Sequence, residues 1–181
     1  MSEPILIMGI CGTYDLDSAN GRMLELLLDE CRKLGAETVV WDHGAKPLPL
    51  VGAEGSWDDE NVKEFQDLAT SSDAFVLSSP EYHGTMSGVM KNSLDWLYSK
   101  HTKGKVFGLM STLGGQPSNN TLNHMRIAAR WIYGWVAPEQ VAVPHIKEAF
   151  NEDGSLVSDT IMERVTSLAS SIVTNTTKLR R

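Results

Sequence analysis

Apolar residues in this chain follow two alternating patterns, short continuous runs and longer stretches with helical spacing. Short apolar runs that end at glycine or at polar residues are typical of strands buried on both faces of a sheet. Four such runs predict strands, at 4–10, 37–42, 73–79 and 104–112. A weaker run at 135–144 predicts a fifth strand.

The stretches between these runs repeat apolar residues every three or four positions, which predicts amphipathic helices. Three of these helices are expected over 18–35, 57–72 and 121–133. A fourth should follow the turn at 80–84, and a fifth should begin at a cap formed by Ser158 or Asp159. Regular alternation of strand and helix predicts a parallel sheet with helices on both faces. We expect one domain over 1–181, with 44–57 as its longest irregular segment.

Composition narrows the class of protein. No apolar run approaches the roughly 18 residues of a membrane helix, and the first residues lack the basic start of a secretory signal, so we expect no membrane association. Two cysteines, Cys11 and Cys31, do not make a disulfide scaffold and fit a reduced, cytoplasmic setting. The net charge of −7 argues against a nucleic-acid partner.

The charge is unevenly distributed along the chain. The first 85 residues carry 5 basic and 16 acidic side chains, whereas 86–181 carry 11 basic and 7 acidic. This asymmetry indicates either an ordinary solvated surface or a basic side that attracts an anionic ligand. The cations that would form such a side are Lys100, Lys103, Lys105, Arg126 and Arg130.

Three polar loops follow the first, third and fourth predicted strands, where an open parallel sheet binds its ligands. The first of them, GICGTYDLDSAN, has the hydroxyls of Thr13 and Ser18 directly before a helix. Hydroxyls, loop amides and a helix N-terminus together suit a phosphate, although the loop matches neither the dinucleotide fingerprint nor the P-loop. A plain capped turn is the alternative interpretation.

The other two loops suit a flat ligand. Tyr82 and His83 lie in the loop after the third strand. Gly114 and Gly115 after the fourth would let the backbone approach a ligand closely, although the pair taken by itself favours a plain turn. Beside a phosphate site, these features favour a planar ring that carries a phosphate tail.

The stretch SSPEYHGTMSGVMKNSLDWL resembles the flavin loop and following helix of the NADPH-dependent FMN reductase family. The matching positions are Pro80, Glu81, Tyr82, Gly84, Gly88, Lys91, Asn92, Asp95 and Trp96. The first loop is similar to the family's phosphate loop, through Gly12, Thr13, Ser18 and Asn20, and STLGG is similar to its third flavin loop. The likeness extends over nearly the whole chain.

The resemblance implies a flavodoxin-like three-layer sandwich with a five-stranded parallel sheet in the order 2-1-3-4-5. It implies FMN as cofactor, NADPH or NADH as hydride donor, and a small acceptor such as a quinone, an azo compound, free flavin or a metal oxyanion, reduced by a ping-pong mechanism. It also implies a homodimer or homotetramer. The cofactor-binding residues it implies are Gly12, Thr13, Ser18, Asn20, Pro80, Glu81, Tyr82, His83, Gly84, Ser111, Gly114 and Gly115.

The flavin carries the chemistry in this family, so no side chain is assigned as an acid or base, and Tyr82 and His83 are candidates by position only. Asn92 and Asp95, three residues apart on one helix face, are predicted to tie that helix to a loop or a subunit. The five histidines lack metal-ligand spacing, so we expect no metal site.

Three residues depart from the family pattern. Asp15 stands where the family usually has a phosphate-facing arginine, His83 replaces an asparagine, and Ser87 replaces a proline. Because of Asp15, an electron-transfer flavodoxin or a flavin-binding protein without NAD(P)H turnover stays open as an alternative.

Overall fold

The computed structural model describes residues 3–116 and 118–180 and contains one parallel sheet at its centre. Its strands are β1 (Leu6–Cys11), β2 (Glu37–Trp41), β3 (Ala74–Tyr82), β4 (Thr85–Met86), β5 (Val106–Thr112) and β6 (Trp135–Val143). The five long strands are ordered β2-β1-β3-β5-β6, which confirms the predicted order. The sequence pattern missed β4, a two-residue strand that pairs antiparallel with the end of β3.

Helices cover both faces of the sheet, as predicted. They are α1 (Ala19–Lys33), α2 (Glu60–Ser71), α3 (Gly88–Asp95), α4 (Ser99–Thr102), α5 (Asn120–Trp131) and α6 (Asp159–Leu179). Apolar residues of α1 and α6 pack on one face, and those of α2, α3 and α5 on the other, so the fold has three layers. Within the described ranges, no helix combines the length and the apolar character that crossing a bilayer would need.

Alternation along β3 explains how one strand supplies both halves of the core. Ala74 and Val76 face α1 and α6, whereas Phe75 and Leu77 face α2, α3 and α5. The Phe75 ring stacks on Phe107 of β5, with 4.6 Å between ring centroids. Since all four β3 residues are fully buried, the run reads as continuously apolar rather than alternating.

The edge strand β6 is irregular, which accounts for its weak sequence signal. Phe107 pairs with Val136, but Leu109 pairs with Gln140, so extra β6 residues bulge out between these two pairs. Pro138 lies inside the bulge and cannot donate a ladder hydrogen bond.

Two cations proposed to attract an anionic ligand instead hold the fold together. The Lys105 Nζ donates to the carbonyls of Ala69 and Thr70, 2.7 and 2.8 Å away, at the C-terminus of α2. The Arg126 guanidinium donates to Ala137 O and to Gln140 Oε1 of β6. Lys105 precedes β5, whereas the polar loops follow the strands, so it lies roughly 20 Å of strand length from them. The hypothesis of a basic ligand-attracting side therefore fails for Lys105 and Arg126.

Candidate functional site

The three predicted loops meet at the carboxyl edge of the sheet, where β1, β3 and β5 end side by side. The first loop is 12–18, between β1 and α1. The second is a hairpin at 82–85, between β3 and β4. The third loop is 113–119, between β5 and α5, and Pro117 within it lies outside the described residues.

Asn20, in the first turn of α1, joins the ends of all three strands. Its Nδ2 donates to Ser78 O at 3.0 Å and to Cys11 Sγ at 3.2 Å. Its Oδ1 accepts from Ser78 Oγ at 3.0 Å and from Thr112 Oγ1 at 3.1 Å. A primary amide has two N–H donors and two acceptor lone pairs, and all four are used. The resemblance implied that Asn20 binds the cofactor, but these contacts leave it a positioning role for the surrounding loops.

The first loop presents hydroxyls and amides together. Thr13 Oγ1 and Ser18 Oγ are 3.0 Å apart, and Ser18 caps α1 by accepting the Gly21 N–H. Among the described residues, the N–H groups of 13–16 meet no protein acceptor. Unpaired amides in a row, next to a helix N-terminus, form a concave site for an anion.

The Asp15 carboxylate accepts a hydrogen bond from within the first loop. Its Oδ1 accepts the Asp17 N–H at 2.8 Å, and its carbonyl accepts from Thr13 Oγ1 at 3.0 Å. Ser18 rather than Asp15 caps α1. The side chain is exposed and remains a negative charge within the loop that would hold the anion.

A buried histidine links the first loop to α3. The His43 ring meets the Tyr14 ring edge-on, with 6.1 Å between centroids. Ser93 Oγ donates to Val89 O, so the His43 Nε2–H donates to Ser93 Oγ at 3.1 Å. Burial lowers the pKa of His43 to about 4, against the opposing effect of Asp42, so the imidazole is neutral at pH 7.

The second loop is tighter than the sequence indicated. We predicted that β3 ends at residue 79, but the strand continues to Tyr82 and turns back through only His83 and Gly84. Both turn residues have positive φ, 52° at His83 and 80° at Gly84, which is the two-residue type I′ hairpin. Pro80 is tolerated in this central strand because β1 ends opposite Ser78 and leaves no partner for a donor there.

Two contacts hold the hairpin against α5. Glu81 Oε2 accepts from the N–H and the hydroxyl of Thr121, at 3.3 and 3.1 Å. On the other strand of the hairpin, Thr85 Oγ1 lies 2.8 Å from His124 Nδ1. The carboxylate of Glu81 is thus committed to the helix, whereas Tyr82 at the turn is exposed.

Ser87 fastens the hairpin to the first loop. Its Oγ donates to Gly12 O at 2.6 Å and accepts the Met90 N–H, which caps α3. Its own N–H donates to Ser79 Oγ at 3.0 Å. A Cβ on Gly12 would lie 2.9 Å from both serine hydroxyls, so only glycine fits there. A proline at 87 would provide neither the hydroxyl nor the N–H.

The third loop leaves open space. A Cβ on Gly114 or Gly115 would meet no protein atom within 4 Å, and both residues are exposed. Below them, Ser111 Oγ is buried and meets no hydrogen-bond partner among the described residues. No atom of the described residues excludes a side chain at these two positions, so the space beside the glycines is free for a ligand that approaches the backbone.

Several of these contacts could not be found from sequence motifs. Four side chains match no motif position, and their role follows only from the hydrogen bonds that they make: His43, Ser79, Thr121 and His124. The predicted tie from α3 is present for Asn92, whose Nδ2 donates to Pro49 O at 2.9 Å, whereas the Asp95 carboxylate pairs with Lys91 of the same helix.

The arrangement suits a planar ligand with an anionic tail. The free amides of 13–16 and the Thr13 and Ser18 hydroxyls are placed to bind the tail. The hairpin turn and the open third loop border the space for a ring. No group of three or more potential metal-ligating side chains occurs in the described part of the chain.

Comparisons with known proteins show the family of this chain. A model of the NADPH-dependent FMN reductase family matches residues 5–148. The FMN-dependent NADPH-azoreductase of Staphylococcus aureus is 32% identical over 151 residues, which cover 81% of this chain and 80% of the relative.

Solved structures share the fold at lower identity. The flavoenzyme NAD(P)H:(acceptor) oxidoreductase FerB from Paracoccus denitrificans superposes with a TM-score of 0.76 at 22% identity, covering 96% of this chain and 98% of that one. A flavodoxin from the domain Archaea gives 0.65 at 12% identity, over 97% and 99% of the two chains. This chain therefore shares the flavodoxin-like fold with both of these structures.

We predict that Asn20→Ala destabilises the protein by about 2–4 kcal/mol, because it leaves the buried hydroxyls of Ser78 and Thr112 without their shared acceptor. Urea denaturation measures the loss. Asn123→Ala is the matched control, since Asn123 is an exposed asparagine of α5, and it should change stability by less than about 0.5 kcal/mol. Equal stability of the two variants would show that the Asn20 amide is not a structural link.

Proposed function

The chain belongs to the NADPH-dependent FMN reductase family, and on that premise we propose that it passes electrons from NADPH through FMN to a small organic acceptor. The observation that carries this proposal is the meeting of the three loops, with unpaired amides at 13–16 beside an open, glycine-lined space. The S. aureus relative reduces azo compounds by its name, which supports azo compounds as acceptors, and we propose quinones as a second class.

We assign the cofactor's phosphate to the first loop. The amides of 13–16 would donate to it, and the hydroxyls of Thr13 and Ser18 would donate to it after rotating away from Asp15 O and from each other. Gly12 and Asn20 would act indirectly, by holding this loop against the strand ends.

We assign the ring to the hairpin and the third loop. The peptide groups around His83 and Gly84 are presented by a rigid turn, and Tyr82 is free to cover part of a ring face. Gly114 and Gly115 would let the third loop approach the ring from the other side, with Ser111 as a buried hydroxyl beneath. Pro80 and Glu81 would hold the hairpin in place rather than contact the ring.

Bound FMN supplies the redox chemistry, by accepting a hydride and giving two electrons to the acceptor in a second step. The protein's share is to bind and orient the flavin and to leave one face open to each substrate in turn. A flavodoxin-type carrier shares this fold, but no specific contact favours it over the reductase.

We further propose that the protein is a homodimer or homotetramer. Four large apolar side chains at the end of α5 and the start of β6 are at least 60% exposed: Ile127, Trp131, Tyr133 and Trp135. A groove of about 440 Å³ between α3 and α5 continues this surface toward the hairpin. Contiguous apolar surface of this kind is typical of subunit interfaces. The two unpaired, buried cysteines support a reducing, cytoplasmic setting.

We expect the protein to bind FMN. We also expect NADPH to bleach the bound flavin. In an anaerobic cuvette, NADPH should remove the flavin's visible absorbance within seconds, and a quinone should restore it. FMN should bind at least about tenfold more tightly than riboflavin, because a phosphate accepts charge-assisted hydrogen bonds. Flavin that dithionite reduces but NADPH does not would favour the electron-carrier alternative.

Removing the charge of Asp15 should tighten FMN. Asp15→Asn keeps an oxygen that accepts the Asp17 N–H but removes repulsion of the phosphate, so we expect a gain of about 0.5–1 kcal/mol. The gain should shrink as salt is raised. Asp15→Arg adds a cation but loses that acceptor, so the asparagine variant is the cleaner test.

Riboflavin, which lacks the phosphate, is the control ligand for Asp15→Asn, and its affinity should stay unchanged in a fluorescence titration. An equal gain for FMN and riboflavin, or no gain for either, would mean that the carboxylate does not face the phosphate.

The apolar surface should mediate self-association. Light scattering at micromolar concentration should give at least twice the chain mass, and Trp131→Glu should reduce it to the monomer. Val157→Glu is the control, because Val157 is also 59% exposed but precedes α6. A monomeric native protein would contradict the proposal.

A further inference from the structure

At the mouth of the site, few proton-bearing side chains are free to act on a bound acceptor. Glu81 is bonded to Thr121, and the Asp15 carboxylate accepts an N–H of its own loop. His124 is engaged through Nδ1 by Thr85. Among the described residues, the imidazole of His83 meets no hydrogen-bonding or ionic partner, and it is exposed at the turn.

The hairpin backbone fixes the position from which the His83 side chain extends. The type I′ turn holds His83 at φ 52°, and the contacts to α5 on both strands of the hairpin limit its movement. A side chain on a restrained backbone that borders the ring space is better placed for proton transfer than one on a free loop. Asparagine, which the family usually has here, adopts the same turn but is neither an acid nor a base.

We propose that His83 is the general acid for quinone reduction. This inference rests on the proposed function, because reduced FMN supplies the hydride. When the hydride passes to a quinone, the quinone gains two electrons and one hydrogen and becomes a hydroquinone anion, and the flavin is oxidised. The His83 imidazolium then breaks its N–H bond as the second O–H bond of the hydroquinone forms, and solvent returns a proton to the imidazole.

Imidazole is the suitable group because it gains and loses a proton readily near neutral pH. Tyr82, its exposed neighbour, carries a phenol that is a much weaker acid at that pH. His145 is the one other histidine in the described ranges that is exposed and has positive φ, 47°, and it donates its backbone N–H to Gly115 O of the third loop. His145 therefore serves as the matched control.

The test compares His83→Asn with His145→Asn, each loaded with FMN. His83→Asn should lower the rate of reoxidation by duroquinone about a hundredfold, at the lower end of what a positioned acid contributes. Its rate with ferricyanide, which takes electrons without a proton, should fall at least about tenfold less than its rate with duroquinone. His145→Asn should leave both rates unchanged. A quinone rate that His83→Asn does not lower, or one that His145→Asn lowers instead, overturns the assignment.

Two further readouts separate an acid from a structural role. Imidazole added to His83→Gly, which keeps the positive-φ turn, should restore the quinone rate but leave the ferricyanide rate unchanged. In oxidised protein without NADPH, duroquinone should shift one histidine ring resonance in the NMR spectrum, and that resonance should be missing from His83→Asn. Absence of imidazole rescue, or a shift at another histidine only, also overturns the proposal.

FMN titration and anaerobic bleaching by NADPH are run on the native protein and on every variant. If the native protein fails these two measurements, the proposed function itself fails. If all variants pass them and His83→Asn still reduces quinone at the native rate, only the role of His83 is refuted.

Discussion

The geometry of the site depends on one buried amide. Asn20 occupies the point where β1, β3 and β5 end, and it offers the two donors and two acceptors that the surrounding polar groups require. A buried polar group without a partner costs about 1–3 kcal/mol, so this position tolerates few alternatives. Because Asn20 belongs to α1, its bonds also hold the first turn of that helix, which follows the first loop, against the strand ends.

Much of the fold was readable from the sequence, because buried parallel strands and amphipathic helices leave strong periodic signals. Five strands follow that pattern, their order agrees with the one that the family resemblance implied, and Ser158 is one of the two caps expected for α6. The two-residue strand β4 and the continuation of β3 to Tyr82 could not be predicted. They depend on a hairpin held by Thr121 and His124, which are about forty residues away in the chain.

The site was less predictable than the fold, for the same physical reason. Motif matching pointed to three loops that meet in the structure, but it could not separate side chains that are free to face a ligand from those that hold the loops. Asn20 and Glu81 belong to the second kind, since their polar atoms are bonded to protein. Ser87, a departure from the family pattern, makes hydrogen bonds that a proline could not make, so it joins two loops in a different way.

The bulge in β6 has a consequence for the protein at high concentration. An exposed edge strand is a template on which another chain can add its own strand, and this is how many sheet proteins aggregate. In β6 the register shift between Phe107 and Leu109 interrupts the regular ladder, and Pro138 removes one donor from the strand. The β6 edge therefore offers an incoming strand no continuous row of partners, which disfavours fibre-like stacking of sheets through this edge in a crowded cell.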